Sequence, residues 1–248
     1  MFDRRATALC LALLLSATVH ADVVTVAVAS NFRSVAEDIA RVFEADTAHR
    51  VRLAAASTGT FYAQISNGAP FDVLLAADSE RPAKLVATGL AVSESRFTYA
   101  IGSLVLWSRD LSDCQANLRE EGETYIAIAN PLTAPYGQAA REYLLAAGLW
   151  EPLQPRLVIA QNIAQALQFT ASGNAGLGFV ARAQTYDERL PAEGCSWEVP
   201  ADMHAAIEQQ AILLRRAIDN PAAIAWLKYL QSEAAKTLIR QRGYGLPQ

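Results

Sequence analysis

Residues 23–31 read VVTVAVASN, a β-branched and small apolar run that closes on a serine and an asparagine. The alternation predicts a strand. Apolar residues then recur at helical spacing, and Asn31 is the predicted cap of that helix. Three further segments stand between a predicted strand and a predicted helix: STGT at 57–60, APYG at 134–137 and QNI at 161–163.

These four junctions share a chemistry that suits an anion. The first turn of a helix carries unpaired backbone N–H groups and a partial positive charge. The junctions contain small, hydroxyl and amide residues, with no Lys or Arg inside them. Together they predict a pocket that holds a desolvated oxyanion by neutral hydrogen bonds.

The order of predicted elements indicates the fold class, α/β. The pattern is β-α-β-α-β-α up to about residue 89, and it restarts after the β-forming stretch 97–107. This order is typical of doubly wound sheets. We predict two such lobes joined by two crossings, near residues 100–108 and 205–215, with a strand at 211–214. The first lobe would comprise residues 22–103 and 209–248, the second residues 104–208, and a ligand cleft would lie between them.

The N-terminal residues predict export. Arg4 and Arg5 precede the apolar run 8–15, and small residues follow up to Ala21. This is the pattern of a secretory signal peptide, residues 1–21, cleaved after Ala21. Cys10 could suggest a lipoprotein signal, but more apolar residues follow it. The predicted location is therefore the periplasm.

The net charge excludes some classes of partner, and the cysteine content predicts a disulfide. Removal of residues 1–21 takes Arg4, Arg5 and Asp3 from the 21 basic and 25 acidic residues, which leaves a net charge of −5. That charge argues against nucleic acid or an anionic membrane surface as a partner. Cys114 and Cys195 remain, and in an oxidising compartment an even pair favours a disulfide over two separate buried thiols.

Over residues 23–248 the chain resembles the periplasmic molybdate-binding proteins of ABC importers. The motifs that carry the resemblance are long and keep their order along the chain. They read VASNF at 28–32, STG at 57–59, QI at 64–65, GAP at 68–70, AD at 77–78, IANP at 128–131, APYG at 134–137, QNI at 161–163 and SGNAGLG at 172–178.

The resemblance implies a monomeric type II periplasmic binding protein that closes on molybdate or tungstate and delivers it to a permease in the inner membrane. It implies no cofactor, and molybdenum would be bound only as its oxyanion, without a direct protein ligand. Some members use a tyrosine where this chain has Ala181, so the resemblance points to the branch in which Tyr136 supplies the phenol. The implied ligand-binding residues are Ser30, Asn31, Ser57, Tyr136 and Ile163.

Other functions remain to be weighed. The same fold could bind sulfate, phosphate or an organic acid. However, a phosphate binder would favour a carboxylate and an organic-acid binder an arginine, and the four junctions contain neither. A bilobal enzyme, such as a tetrapyrrole-forming transferase, would need clustered arginines and an attachment cysteine. A transcription-factor effector domain does not fit a signal peptide. The sequence thus predicts a binding protein rather than an enzyme.

Overall fold

The computed structural model describes residues 22–120, 122–191 and 193–247 of the chain. The predicted signal peptide lies outside these residues. Within them, no helix combines the length and the apolar character that crossing a membrane requires.

The first lobe is a five-stranded sheet in the order β2-β1-β3-β10-β4. Strands β1, β2 and β3 run parallel, while β10 is antiparallel to both β3 and β4. Its strands are β1 Val23–Ala29, β2 Arg50–Ala56, β3 Val73–Leu75, β4 Phe97–Gly102 and β10 Ile207–Leu213. Its helices are α1 Arg33–Asp46, α2 Thr58–Ser66, α3 Glu80–Ala87, α8 Pro221–Leu230 and α9 Glu233–Gln241.

The second lobe repeats this architecture in the order β7-β6-β8-β5-β9. Here β6, β7 and β8 are parallel and β5 is antiparallel to its two neighbours. Its strands are β5 Leu104–Ser108, β6 Ile126–Ala129, β7 Leu157–Ala160, β8 Leu177–Ala181 and β9 Cys195–Glu198. Its helices are α4 Cys114–Arg119, α5 Pro135–Ala146, α6 Trp150–Leu153 and α7 Ile163–Ala171.

Two crossings join the lobes. The first is the step from β4 to β5 at Ser103, and the second leads from β9 into β10. Strand β10 begins at Ile207, which pairs with Gly102 of the first sheet, two residues before the predicted return of the chain to the first lobe at residue 209. The predicted strand 211–214 likewise began too late. The polar residues 208–210 concealed the start of β10, although Gln209 is completely buried.

Both sheets have apolar cores on their faces. In the first lobe, α1, α8 and α9 cover one face around Phe43 and Trp226, and α2 and α3 cover the other around Phe61 and Leu85. The larger core of the second lobe lies under α5 and includes Tyr143. Burial on both faces explains why the central strands β1, β3, β6 and β8 are almost entirely apolar, whereas the edge strand β2 carries exposed Arg50 and Arg52.

Cys114 and Cys195 are joined by a disulfide bond within the second lobe, with their Cα atoms 5.6 Å apart. Cys114 begins α4 and Cys195 begins the edge strand β9. The bond closes a loop of 81 residues in sequence, which limits the freedom of the unfolded chain.

Candidate functional site

The carboxyl ends of the parallel strands in the two lobes face one another. Strands β1 and β2 end at Ala29 and Ala56, and β6 and β7 end at Ala129 and Ala160. Ligands bind at such edges in open α/β sheets. The four junctions that the sequence analysis identified lie together at this place.

A small cavity lies between the lobes. Drug-sized ligands occupy pockets of about 300–1,000 Å³, and this cavity is far too small for one. Six lining residues come from the first lobe and four from the second, and all five predicted ligand-binding residues are among them. The lining is Ala29, Ser30, Asn31, Ser57, Thr58, Ala77, Ala134, Pro135, Tyr136 and Ile163.

Ser57 is the cap of α2, as the sequence predicted. Its Oγ accepts a hydrogen bond from the backbone N–H of Thr60 at 3.2 Å, and it lies 2.7 Å from Oγ1 of Thr60. Either hydroxyl can be the donor of the second bond. When Thr60 donates, the proton of Ser57 is free to turn into the cavity. The capping oxygen thus remains compatible with a hydrogen bond to an anion.

Asn31 does not cap α1, and that prediction is wrong. Its side chain turns into the protein, where Nδ2 donates to Oε1 of Gln209 at 2.8 Å and to the hydroxyl of Tyr244 at 3.0 Å. The carbonyl of Asn31 accepts from the same hydroxyl at 2.9 Å. Both protons of the amide are therefore used behind the cavity. The group that Asn31 can offer to a ligand is its backbone N–H.

The second lobe presents the start of two helices. Tyr136 lies in the first turn of α5 behind Pro135, and Ile163 is the first residue of α7 behind its cap Asn162. The backbone N–H groups of Tyr136 and Ile163 have no hydrogen-bond partner among the described residues. First-turn N–H groups lack an intrahelical acceptor by construction. Two backbone donors are therefore available at the cavity from this side.

Tyr136 also spans the cleft with its side chain. It is 1% exposed, and its hydroxyl accepts a hydrogen bond from Nε2 of Gln209 in the first lobe at 3.4 Å. Burial raises the pKa of this phenol well above its usual value, and the neighbouring hydroxyls of Tyr244 and Tyr99 add to the rise. Tyr136 thus keeps its proton at neutral pH.

The lobes contact each other directly beside the cavity. The N–H of Gly59 in α2 donates to the carbonyl of Thr133 in the second lobe at 2.8 Å. A Cβ atom on Gly59 would lie 2.8 Å from the backbone of Thr133. The glycine therefore permits a close interlobe approach that any larger residue would obstruct.

Five residues that line the cavity are not among the predicted ligand-binding residues. Four of them, Ala29, Ala77, Ala134 and Pro135, contribute shape rather than donors. Thr58 is different because it is fully buried and its Oγ1 accepts from the N–H of Ala77 at 3.0 Å. The signal for it was present, since Thr58 belongs to the STGT junction.

Among the described residues, none that lines the cavity carries a charge. The available donors are hydroxyl groups and backbone N–H groups at helix starts. Such groups select a fully ionised anion, because they offer hydrogen-bond donors and no obligatory acceptor.

Comparison with known proteins decides the family. The family described as bacterial extracellular solute-binding protein matches residues 24–245. The chain belongs to this family. The predictions of a two-lobed periplasmic binding protein fold, and of a binding protein rather than an enzyme, are thereby confirmed.

Individual relatives are close. The molybdate-binding protein ModA of Azotobacter vinelandii is 48% identical over 236 residues, which cover 94% of each chain. The ModA protein of Rhodobacter capsulatus is 44% identical over 242 residues, or 96% of this chain and 94% of that one. The solved structure of the periplasmic molybdate-binding protein of Azotobacter vinelandii superposes with a TM-score of 0.85 at 41% identity, covering 91% of this chain and 100% of that one. The resemblance inferred from the motifs is therefore confirmed.

Proposed function

We propose that this chain is a periplasmic solute-binding protein that captures molybdate, and tungstate alongside it, and delivers the anion to an ABC permease. The observation that carries the proposal is the uncharged cavity between the lobes, lined by hydroxyl groups and first-turn N–H groups. Relatives at 48% and 44% identity bear the name molybdate-binding protein. No cofactor is needed for this activity.

The proposed ligand set is Ser30, Asn31, Ser57, Tyr136 and Ile163. Ser30 and Ser57 would donate through their hydroxyls, and Asn31 and Ile163 through backbone N–H groups. Tyr136 would donate through its N–H, its phenol or both. Discrimination against the smaller sulfate must then rest on the size of the cage, since both anions carry the same charge.

A thermal-shift panel of molybdate, tungstate, sulfate, phosphate and chromate on the mature protein tests the proposal. A ligand at about 100 times its Kd stabilises by about 2.7 kcal/mol. Molybdate and tungstate should raise the midpoint of unfolding, and sulfate at equal concentration should raise it much less. Equal shifts with sulfate would reduce the assignment to an unspecified oxyanion.

Export belongs to the same proposal, and intact mass tests it. Cleavage after Ala21 would leave a chain that begins at Asp22. Oxidation in the periplasm would join Cys114 to Cys195 and remove two hydrogens from the mass. A mass that matches two free thiols would leave the cysteines as ordinary core residues. A retained N-terminal segment would contradict the cleavage site.

A further inference from the structure

The hydroxyl of Tyr136 ends in a pocket of the opposite lobe. Tyr136 belongs to α5 of the second lobe, but its Oη lies beside Gly102 and Gln209 of the first. A Cβ atom on Gly102 would lie 2.1 Å from this oxygen and 2.9 Å from the ring carbon Cζ. The space that the hydroxyl occupies therefore exists only because residue 102 is a glycine.

Gln209 is held so that its N–H₂ group faces this hydroxyl. Its Oε1 accepts from Nδ2 of Asn31 at 2.8 Å and lies 3.2 Å from the hydroxyl of Tyr99. Rotation of the amide by half a turn would place a donor against the donor of Asn31. Gln209 is completely buried, where an unpaired polar group is costly. Nε2 is thus directed at Tyr136.

The backbone aims Gln209 at the same place. The pairing of β10 with β4 shifts between Gln209 and Gln210, and such irregularities re-aim a side chain. Gly102 is the last residue of β4, directly before the crossing at Ser103. Both residues therefore lie where the two lobes are joined, and a rotation of the lobes would move Tyr136 relative to them.

We propose that Gly102 and Gln209 form a socket on the first lobe that receives the Tyr136 hydroxyl when the lobes close, with Gln209 as a positioning residue for the ligand. The proposal rests on the proposed function. Because Gln209 donates to the phenol oxygen, Tyr136 acts as a donor, and the bound anion competes with the neighbouring Tyr244 hydroxyl for its proton. A phenol that accepts one hydrogen bond also donates a stronger one. The socket thus couples closure to the strength of a ligand contact.

Calorimetric titration with molybdate of the wild type, Gly102→Ala, Tyr136→Phe and the double variant tests the socket. Gly122→Ala is the matched control, since a Cβ atom there would meet no heavy atom within 4 Å. Gly102→Ala should weaken binding by about tenfold or more in the wild-type background. The loss should be smaller in the Tyr136→Phe background, because the 2.1 Å approach to the hydroxyl is gone and only the 2.9 Å approach to the ring carbon Cζ remains. Solution scattering should show incomplete closure of Gly102→Ala with molybdate.

Gln209→Met gives a second route if Gly102→Ala fails to fold. It removes the Nε2 donor, and also the Oε1 acceptor of Asn31, at similar length. The part of its effect on affinity that acts through the Tyr136 hydroxyl should disappear in the Tyr136→Phe background. A wild type that fails to bind molybdate would overturn the proposed function. A wild type that binds, with Gly102→Ala equal to Gly122→Ala, would overturn the socket alone. Purely additive losses in the double variants would overturn it as well.

Discussion

The two lobes share an architecture but contribute different chemistry to the cavity. The first lobe supplies the side-chain hydroxyls of Ser30 and Ser57 together with the backbone N–H of Asn31, and a polar network lies behind them. The second supplies backbone N–H groups at the starts of α5 and α7, beside side chains that are mostly apolar. A residue can therefore donate a hydrogen bond to a ligand without a polar side chain. Every residue except proline has a backbone N–H, and at the start of a helix that N–H has no intrahelical partner.

Hydroxyl donors and backbone N–H donors require different substitutions to remove them. A hydroxyl can be deleted by a change to alanine, whereas a backbone N–H is removed only by proline. Proline is tolerated at the first position of a helix, where its fixed φ is already suitable. Substitutions at Ser57 and at Ile163 therefore test the two kinds of donor separately.

The largest loss is expected from Ile163→Pro, with Ile163→Val as its control. Ile163 is the first residue of α7, and the backbone before it is extended, which suits a residue that precedes proline. Proline removes the N–H, while valine keeps it. A hydrogen bond to a charged partner contributes about 1.5–3 kcal/mol, so calorimetry should show a loss of molybdate affinity of about tenfold to a hundredfold. Equal affinities of the two variants would mean that this N–H does not contact the anion.

The next loss is expected from Ser57→Ala, compared with Ser66→Ala. Ser66 lies at the exposed far end of the same helix. Loss of the Ser57 hydroxyl should weaken binding by roughly tenfold, and loss of the cap should also lower the free energy of unfolding of the apo protein by about 1 kcal/mol. Titration and urea unfolding measure the two effects separately. Identical affinities of the two variants would mean that the first-lobe hydroxyl is misplaced in the proposal.

A smaller loss of molybdate affinity is expected from Tyr136→Phe, because Tyr136 belongs to the second lobe and its hydroxyl contacts the first. The backbone N–H of the second lobe stays, and only the hydroxyl that crosses to the first lobe is lost. Its hydrogen bond with Gln209 crosses between the lobes, so it is lost when the lobes open, and the stability of the open apo form should change little. Binding should weaken by about threefold to tenfold, and solution scattering of the wild type should show a smaller radius of gyration with molybdate. Wild-type affinity together with an unchanged radius would contradict both closure and the placement of Tyr136.

The smallest effect is expected from pH. The cavity is lined by a single titratable side chain among the described residues, Tyr136, and burial raises its pKa well above the usual value. A raised pKa in a phenol keeps the neutral donor form at higher pH, so donors from both lobes stay intact. Molybdate affinity should therefore change by less than about twofold between pH of about 6 and 9. A steep loss of affinity above neutral pH would indicate that the phenol ionises in the site.

Much of the site follows from local signals. The junctions at Ser57 and Ile163 each combine a strand, a polar or capped position and a helix within about ten residues of sequence. Elementary backbone chemistry then places donors at the helix starts. The lobe boundary is harder to predict from the sequence, because residues 208–210 at the start of β10 are polar. Their burial depends on partners that are far away in the chain.

The two α/β lobes, the four junctions and the family can be read from the chain alone, because they depend on periodicity and on motifs that are contiguous in sequence. The inward turn of the Asn31 amide and the reach of Tyr136 into the opposite lobe are visible only in the folded protein. Asn31 and Gln209 are 178 residues apart, and Gln209 and Tyr136 are 73 residues apart. A side chain can turn toward either solvent or a distant partner with little change in local backbone preference. Its direction is therefore set by the contacts that form when the strands of both lobes meet at the crossing.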